Sequence, residues 1–193
     1  MKKLTITLFA SLALTAASFA GAEISGGKDK TVVPTHCFND QELQLDVFGV
    51  YQDGNSDQSG PIRDHGWGGG IGINFYFNRF VGIGGEGYWV DSKENPRATT
   101  SGDSKTFHNI NGSLLFRVPI DSLCLSPYGF LGGGVALDGD SWAVGFAGLG
   151  LEYRVVPNKV GLFIDSRWNY YGDRYNQEDH NNFTTRAGVR LVF

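Results

Sequence analysis

Beyond its first 22 residues the sequence contains no run of 18 apolar residues, which excludes a transmembrane helix from the rest of the chain. Basic residues are also scarce. Without Lys2 and Lys3 there are 14 basic against 20 acidic side chains, a formal charge of about −6 that does not suggest a nucleic-acid partner. Prolines number six and long helical patterns are few, whereas glycines number 28 and aromatic residues 26. That combination points to strands.

The opening segment "MKKLTITLFASLALTAASFAGA" has two lysines, a short apolar run and a small-residue end at Ala20, Gly21 and Ala22, which is secretory signal-peptide anatomy. Residues 1–22 are therefore read as a signal peptide, with cleavage after Ala20 as the other option. Export places Cys37 and Cys124 in an oxidising compartment.

The stretch "VGIGGEGYWV" carries the spacing G-x-G-x-x-G at Gly82, Gly84 and Gly87. A dinucleotide fingerprint needs a helix after it, and here the chain runs through Tyr88, Trp89 and Val90 into "DSKENPRATTSGDS" instead. The same residues alternate as a strand, with Val81, Ile83 and Trp89 on one face and Gly82, Gly84, Glu86 and Tyr88 on the other. No cofactor is expected.

Period-two alternation gives eight segments of roughly ten residues, beginning near Leu43, Trp67, Phe80, Phe107, Pro127, Trp142, Val160 and Phe183. The facing of the fifth, "PYGFLGGGVAL", cannot be read from its pattern. Connections alternate in length: Asn78-Arg79 and Pro157-Asn158 are tight, while "DGNSDQSGPIRDH", "SKENPRATTSGDSK" and "GDRYNQEDHNN" are long and polar. Short turns at one end and long loops at the other are the layout of an outer-membrane barrel, and tilted strands of about ten residues match its thickness.

A secreted lipocalin-like barrel would alternate as well, with its apolar face inside. Two features break the tie. The charged face is also the glycine face, as in Gly148, Gly150, Glu152 and Arg154, which suits a narrow interior. On the other face aromatic residues gather at the ends, Trp67, Trp89 and Trp168 toward the long loops and Phe75, Phe77, Phe116, Tyr153 and Phe193 toward the short turns, like the two girdles of a membrane barrel. The expected fold is an all-β, eight-stranded antiparallel up-and-down transmembrane β-barrel over residues 43–193, preceded by an N-terminal periplasmic segment at 23–42.

With its signal peptide, eight strands, "LSPYGFLGGG", "GLGLEYRV" and closing "GVRLVF", the chain resembles the small eight-stranded outer-membrane β-barrel proteins of Gram-negative bacteria, the OmpA-like or porin-like barrels. The resemblance implies residence in the cell outer membrane, among outer-membrane lipid and lipopolysaccharide. It also implies that Val189, Leu191 and the terminal aromatic Phe193 are the signal read by the barrel-assembly machinery. Unlike OmpA-type proteins, the sequence carries no peptidoglycan-binding domain after the barrel, so a cell-wall anchoring role is not expected.

Catalysis is not expected either. Some small barrels modify lipid A with a histidine and serine near the rim, but His108, the one histidine on a strand, is followed by Asn109, Ile110 and Asn111. His65 and His180 stand beside Asp64 and Asp179 in separate loops, with nothing to fix a metal geometry. Parity places Asp46, Glu86, Glu152 and Asp165 in the lumen with Arg117, Arg154, Arg167, Arg186 and Arg190. In so narrow a space opposite charges should pair, with Asp46 near Arg190 and Asp165 diagonally near Arg186. The expected function is a closed, salt-bridged barrel with a structural or surface-interaction role through the loops after Tyr51, Asp91 and Tyr171. The alternatives are a small channel for ions or apolar solutes and, further off, a lipid A-modifying enzyme.

Cys37 and Cys124 fall on the same, short-turn side of this topology and so can meet. A disulfide between them would pull the N-terminal segment across the mouth of the barrel as a strap. A zinc site with His36 lacks further ligands in the sequence, and two free thiols would be unusual in an exported protein.

Overall fold

The computed structural model describes residues 36–53, 65–93, 104–138, 140–171 and 180–193. Eight antiparallel strands, β1 (Glu42–Asp53), β2 (Gly66–Tyr76), β3 (Val81–Lys93), β4 (Ser104–Arg117), β5 (Leu125–Asp138), β6 (Asp140–Val156), β7 (Val160–Tyr171) and β8 (His180–Val192), follow one another in order. They form a closed barrel in which β1 pairs with β8. Closure leaves no sheet edge, so every strand finds a ladder partner on both sides.

The tight turns have local causes. Between β2 and β3 the Asn78 side chain accepts the N–H groups of Phe80 and Val81 at 2.9 and 2.8 Å, closing the hairpin from within. Between β6 and β7 Asn158 takes a left-handed conformation at φ 56°, which asparagine tolerates. The β4–β5 connection is longer and contains a single 3-10 turn, Asp121–Leu123, that ends on Cys124.

Alternation sorts the side chains as the period-two pattern requires. Trp67, Trp89 and Trp168 are exposed toward the long loops, and Phe75, Phe77, Phe116, Tyr153 and Phe193 toward the short turns, with Ile73, Leu114, Leu131, Leu149 and Ile164 among the aliphatic residues exposed between them. The inward face is polar, charged and aromatic. Glycine there makes room for large side chains: a Cβ on Gly132 would lie 2.7 Å from the Phe146 ring, and one on Gly150 would lie 2.4 Å from the Tyr128 ring.

Three details differ from the sequence reading. The fifth strand turns Ser126, Tyr128, Phe130 and Ala136 inward and Leu131, Val135 and Leu137 outward. Its parity was hidden because both faces are apolar. β1 starts at Glu42, which the sequence reading had assigned to the N-terminal segment. Asp165 and Arg186 are direct cross-strand partners, not diagonal ones, a difference of two residues along β8 that keeps both side chains on the lumen face.

Candidate functional site

The lumen is filled by two ion-pair networks. The first lies at the short-turn end. Arg190 grips Asp46 with both arms of its fork, Nε to Oδ1 and Nη2 to Oδ2, each at 2.7 Å, and reaches Glu152 with Nη1 at 2.5 Å. Glu152 in turn lies 2.5 Å from Arg154 Nε. Arg154 and Arg117 both bind the Glu42 carboxylate, Arg117 at 2.8 Å. Three carboxylates and three guanidinium groups thus form one neutral chain, Asp46, Arg190, Glu152, Arg154, Glu42 and Arg117, and all six residues are buried. Arg117 also stacks on Tyr76, with 3.8 Å to the ring centroid, and donates to the Arg79 carbonyl at 2.8 Å.

The second network sits farther up. Arg186 holds Asp165 at 2.8 and 2.7 Å and also pairs with Glu86. Arg167 crosses to the same Glu86 at 2.5 Å, and Asn111 donates to it at 3.0 Å. Tyr128 donates to Asp165 at 2.7 Å. This group is neutral too. Neither network is fully satisfied among the described residues: Arg154 Nε and Nη1 and Glu152 Oε1 in the first, and Arg167 Nε and Nη2, the Tyr88 hydroxyl and the Asn109 and Asn111 side-chain oxygens around the second, are buried without a hydrogen-bond partner. Arg167 lies against the rings of Tyr88, Phe130 and Phe146, with centroid distances of 4.9 to 5.6 Å.

The structure therefore gathers Asp46, Glu86, Arg117, Glu152, Arg154, Asp165, Arg167, Arg186 and Arg190 in one lumen and adds a carboxylate, Glu42, that parity reasoning had omitted. Two further contributors were missed. Phe38 is 0% exposed and lies under Arg117 and Arg154, with centroid distances of 5.1 and 4.9 Å. Asp121 collects the strap: its carboxylate accepts from the Cys37 N–H at 2.9 Å, pairs with His36 at 3.2 Å and binds Arg79. Partial desolvation pushes the Asp121 carboxyl up, but hydrogen bonds from Arg79, the Cys37 N–H and His36 outweigh it and hold the group below the ordinary aspartate range. An aromatic residue directly after Cys37 and an acid in the turn "PIDSLCLS" were the available signals.

Cys37 and Cys124 form a disulfide. The last residue is tied to the first strand, with Phe193 N–H donating to the Leu43 carbonyl at 2.8 Å, while Phe193 itself is exposed and Val189 and Leu191 are partly exposed. At the long-loop rim, Tyr51 stacks with His65 and packs at a tilt against Trp67, and His65 lies 2.9 Å from Asp53. His108 is exposed on the outer face between Trp89 and Leu137. Among the described residues no group of three or more His, Cys, Asp or Glu is arranged to hold a metal. The loop residues proposed for surface contacts, 54–64, 94–103 and 172–179, lie outside the described residues, as does the His180 side chain.

No protein-family model matches the sequence, and no curated protein matches it. Solved structures do match in fold. Neisserial surface protein A (NspA) is 16% identical with a TM-score of 0.52, covering 79% of this chain and 96% of that one. Ail, the attachment invasion locus protein of Yersinia pestis, is 17% identical at 0.52, covering 80% and 99%. The outer membrane protein OprG of Pseudomonas aeruginosa is 10% identical at 0.54, covering 81% and 97%. The chain has the fold of the small eight-stranded outer-membrane barrels.

Proposed function

We propose that the protein is an integral outer-membrane barrel with a closed lumen, a non-enzymatic scaffold whose structural or surface-interaction role is exerted through its long loops. The exterior supports residence in lipid: an aliphatic belt between two aromatic girdles is stable against hydrocarbon and poorly suited to water. In that setting the outer surface meets outer-membrane lipid and lipopolysaccharide, the long loops face outside, and Val189, Leu191 and Phe193 are offered to the barrel-assembly machinery.

The observation that carries the closed reading is the lumen itself. Ten charged groups, all buried but the partly exposed Glu86, neutralise one another, and at one mouth Phe38 covers them. An ion entering this space would have to displace guanidinium–carboxylate contacts already desolvated by the barrel, which is costly at every step. The protein refolded into planar bilayers is expected to show no steady conductance at moderate voltage. Steady conductance would overturn the closed reading in favour of a small channel. For the enzymatic alternative, expression should leave the lipid A profile unchanged. A change lost in His108→Ala would revive it.

A further inference from the structure

The short-turn mouth is covered by a segment that belongs to no strand. Residues 36–40 add nothing to the barrel ladders, and side chains hold their backbone: Asp121 accepts the Cys37 N–H, Glu42 accepts the Asn39 N–H, Arg117 donates to the Asn39 carbonyl and Asn158 to the His36 carbonyl. Two further ties, from the Arg79 N–H to Asp40 and between His36 and the Asp121 carboxylate, add to the polar attachment. These are few and partly exposed contacts, of the kind that open locally without unfolding the rest. The covalent tie is the Cys37–Cys124 disulfide, which spans 87 residues of sequence and fixes the segment to the β4–β5 turn on the far side of the ring. Immediately after it stands Phe38, completely buried under two guanidinium groups.

From this placement we propose that the Cys37–Cys124 disulfide is a redox latch: reduction by a dithiol frees residues 36–40 from the mouth and withdraws Phe38 from beneath Arg117 and Arg154. The two sulfurs are not equivalent. Cys37 is buried whereas Cys124 is partly exposed, so the reductant's thiolate attacks Cys124 Sγ. A mixed disulfide forms and Cys37 leaves as a thiolate. The reductant's second thiol then displaces Cys124, and the reductant departs as its own disulfide. Two electrons pass to the protein, and two protons convert both thiolates to thiols.

The barrel beneath does not depend on the latch. Arg117 keeps Tyr76, the Arg79 carbonyl and Glu42, and the upper network around Glu86 touches none of the strap. Reduction therefore admits water from one mouth only as far as the Arg190 layer, and the through path stays shut. That last step rests on the closed-lumen reading; the release of Phe38 does not.

The test uses the full exported protein refolded in lipid nanodiscs, treated with dithiothreitol, with thiol alkylation to count reduced cysteines. Chymotrypsin cleavage at the Phe38–Asn39 bond is followed by mass spectrometry, and heat-modifiable gel mobility reports whether the barrel remains folded. The expected result is protection of that bond in the oxidised protein, its loss on reduction, and unchanged barrel mobility. The double variant Cys37→Ser with Cys124→Ser should be cut without reductant. Continued protection after both thiols have been alkylated would overturn the latch. So would cleavage in the oxidised form, refusal of the folded protein to be reduced, or loss of the barrel on reduction, which would make the bond a structural staple. Conductance of the oxidised form would defeat the closed lumen alone, leaving the Phe38 cut to decide the latch.

Discussion

At the short-turn end of the lumen six charged groups form a chain in which each carboxylate meets at least one guanidinium, roofed by Tyr76 on one side and by Phe38 at the mouth. Farther up, four groups share the same charge balance, and in each network one guanidinium, Arg154 below and Arg167 above, donates from one nitrogen and leaves two without an acceptor. What differs is redundancy: Glu86 is shared by Arg186, Arg167 and Asn111, whereas Arg190 is the link between Asp46 and Glu152. The comparison separates neutrality from satisfaction. A buried network can cancel its charge and still carry unmet donors, and the cost of breaking it depends on how many partners remain to share the load.

The sharpest test of that distinction is Arg190→Met, because Arg190 alone joins Asp46 to Glu152. Its loss leaves two carboxylates facing each other in a closed space, and among the described residues Asp46 keeps only a hydrogen bond from Asn74 at 2.8 Å. Removing one partner of a buried pair costs about 3–5 kcal/mol, to be read from denaturant unfolding in lipid vesicles. A loss below about 1 kcal/mol would show that the lower chain tolerates unpaired charge and that the two networks do not differ in kind.

Phe38→Ala comes next. It removes the roof of the lower network without touching a charge. Because the site is at a mouth, water can fill the space, so the cost should approach the transfer term alone, about 2–3 kcal/mol, instead of the larger value for a sealed core cavity. Arg167→Met should cost less, about 1–2 kcal/mol, since Glu86 retains Arg186 and Asn111 and two unmet donors disappear with the side chain. If Arg167→Met proves as damaging as Arg190→Met, Arg186 and Asn111 do not compensate Glu86 and the two networks do not differ in redundancy.

The same contrast explains which parts of the molecule could be read from the sequence. Strand number, order and facing followed from period two wherever one face was apolar and the other polar, as in β7, where Leu162, Ile164 and Trp168 alternate with Phe163, Asp165 and Arg167. The pattern failed at β5 because the lumen itself is partly aromatic there. Tyr128 and Phe130 lie inside against Arg190 and Arg167, so hydrophobicity no longer marks the outer face. Glu42 escaped notice because it opens a strand, where alternation has no preceding residue to establish its phase. Pairings across the barrel, such as Arg186 with Glu86, join residues 100 apart in sequence, and nothing local encodes them. The strap was inferred from topology, but its seat depends on Phe38 and Asp121, which become meaningful only when the mouth is assembled around them.

The smallest expected effect concerns that seat, and it distinguishes the exposed attachment from the buried pairs above it. Asp121 is held ionised by Arg79, the Cys37 N–H and His36, so its carboxyl lies below the ordinary value of 3.8. For a depressed acid the stabilising contribution is fully present above the unfolded value and is lost as pH falls through the lower folded value. The strap should therefore loosen only below about pH 4, while the disulfide keeps it tethered. The most direct reporter is the Cys37 amide, whose N–H donates to Asp121 Oδ1. In the oxidised protein its hydrogen-exchange protection should be constant from neutral pH down to about pH 4 and fall below it, after correction for intrinsic exchange. In Asp121→Asn the amide carbonyl still accepts, but the ionic hold on Arg79 is gone, so protection should be lower throughout and without an acid transition. An acid transition that persists in Asp121→Asn would shift the attachment to another group and leave Asp121 as a bystander.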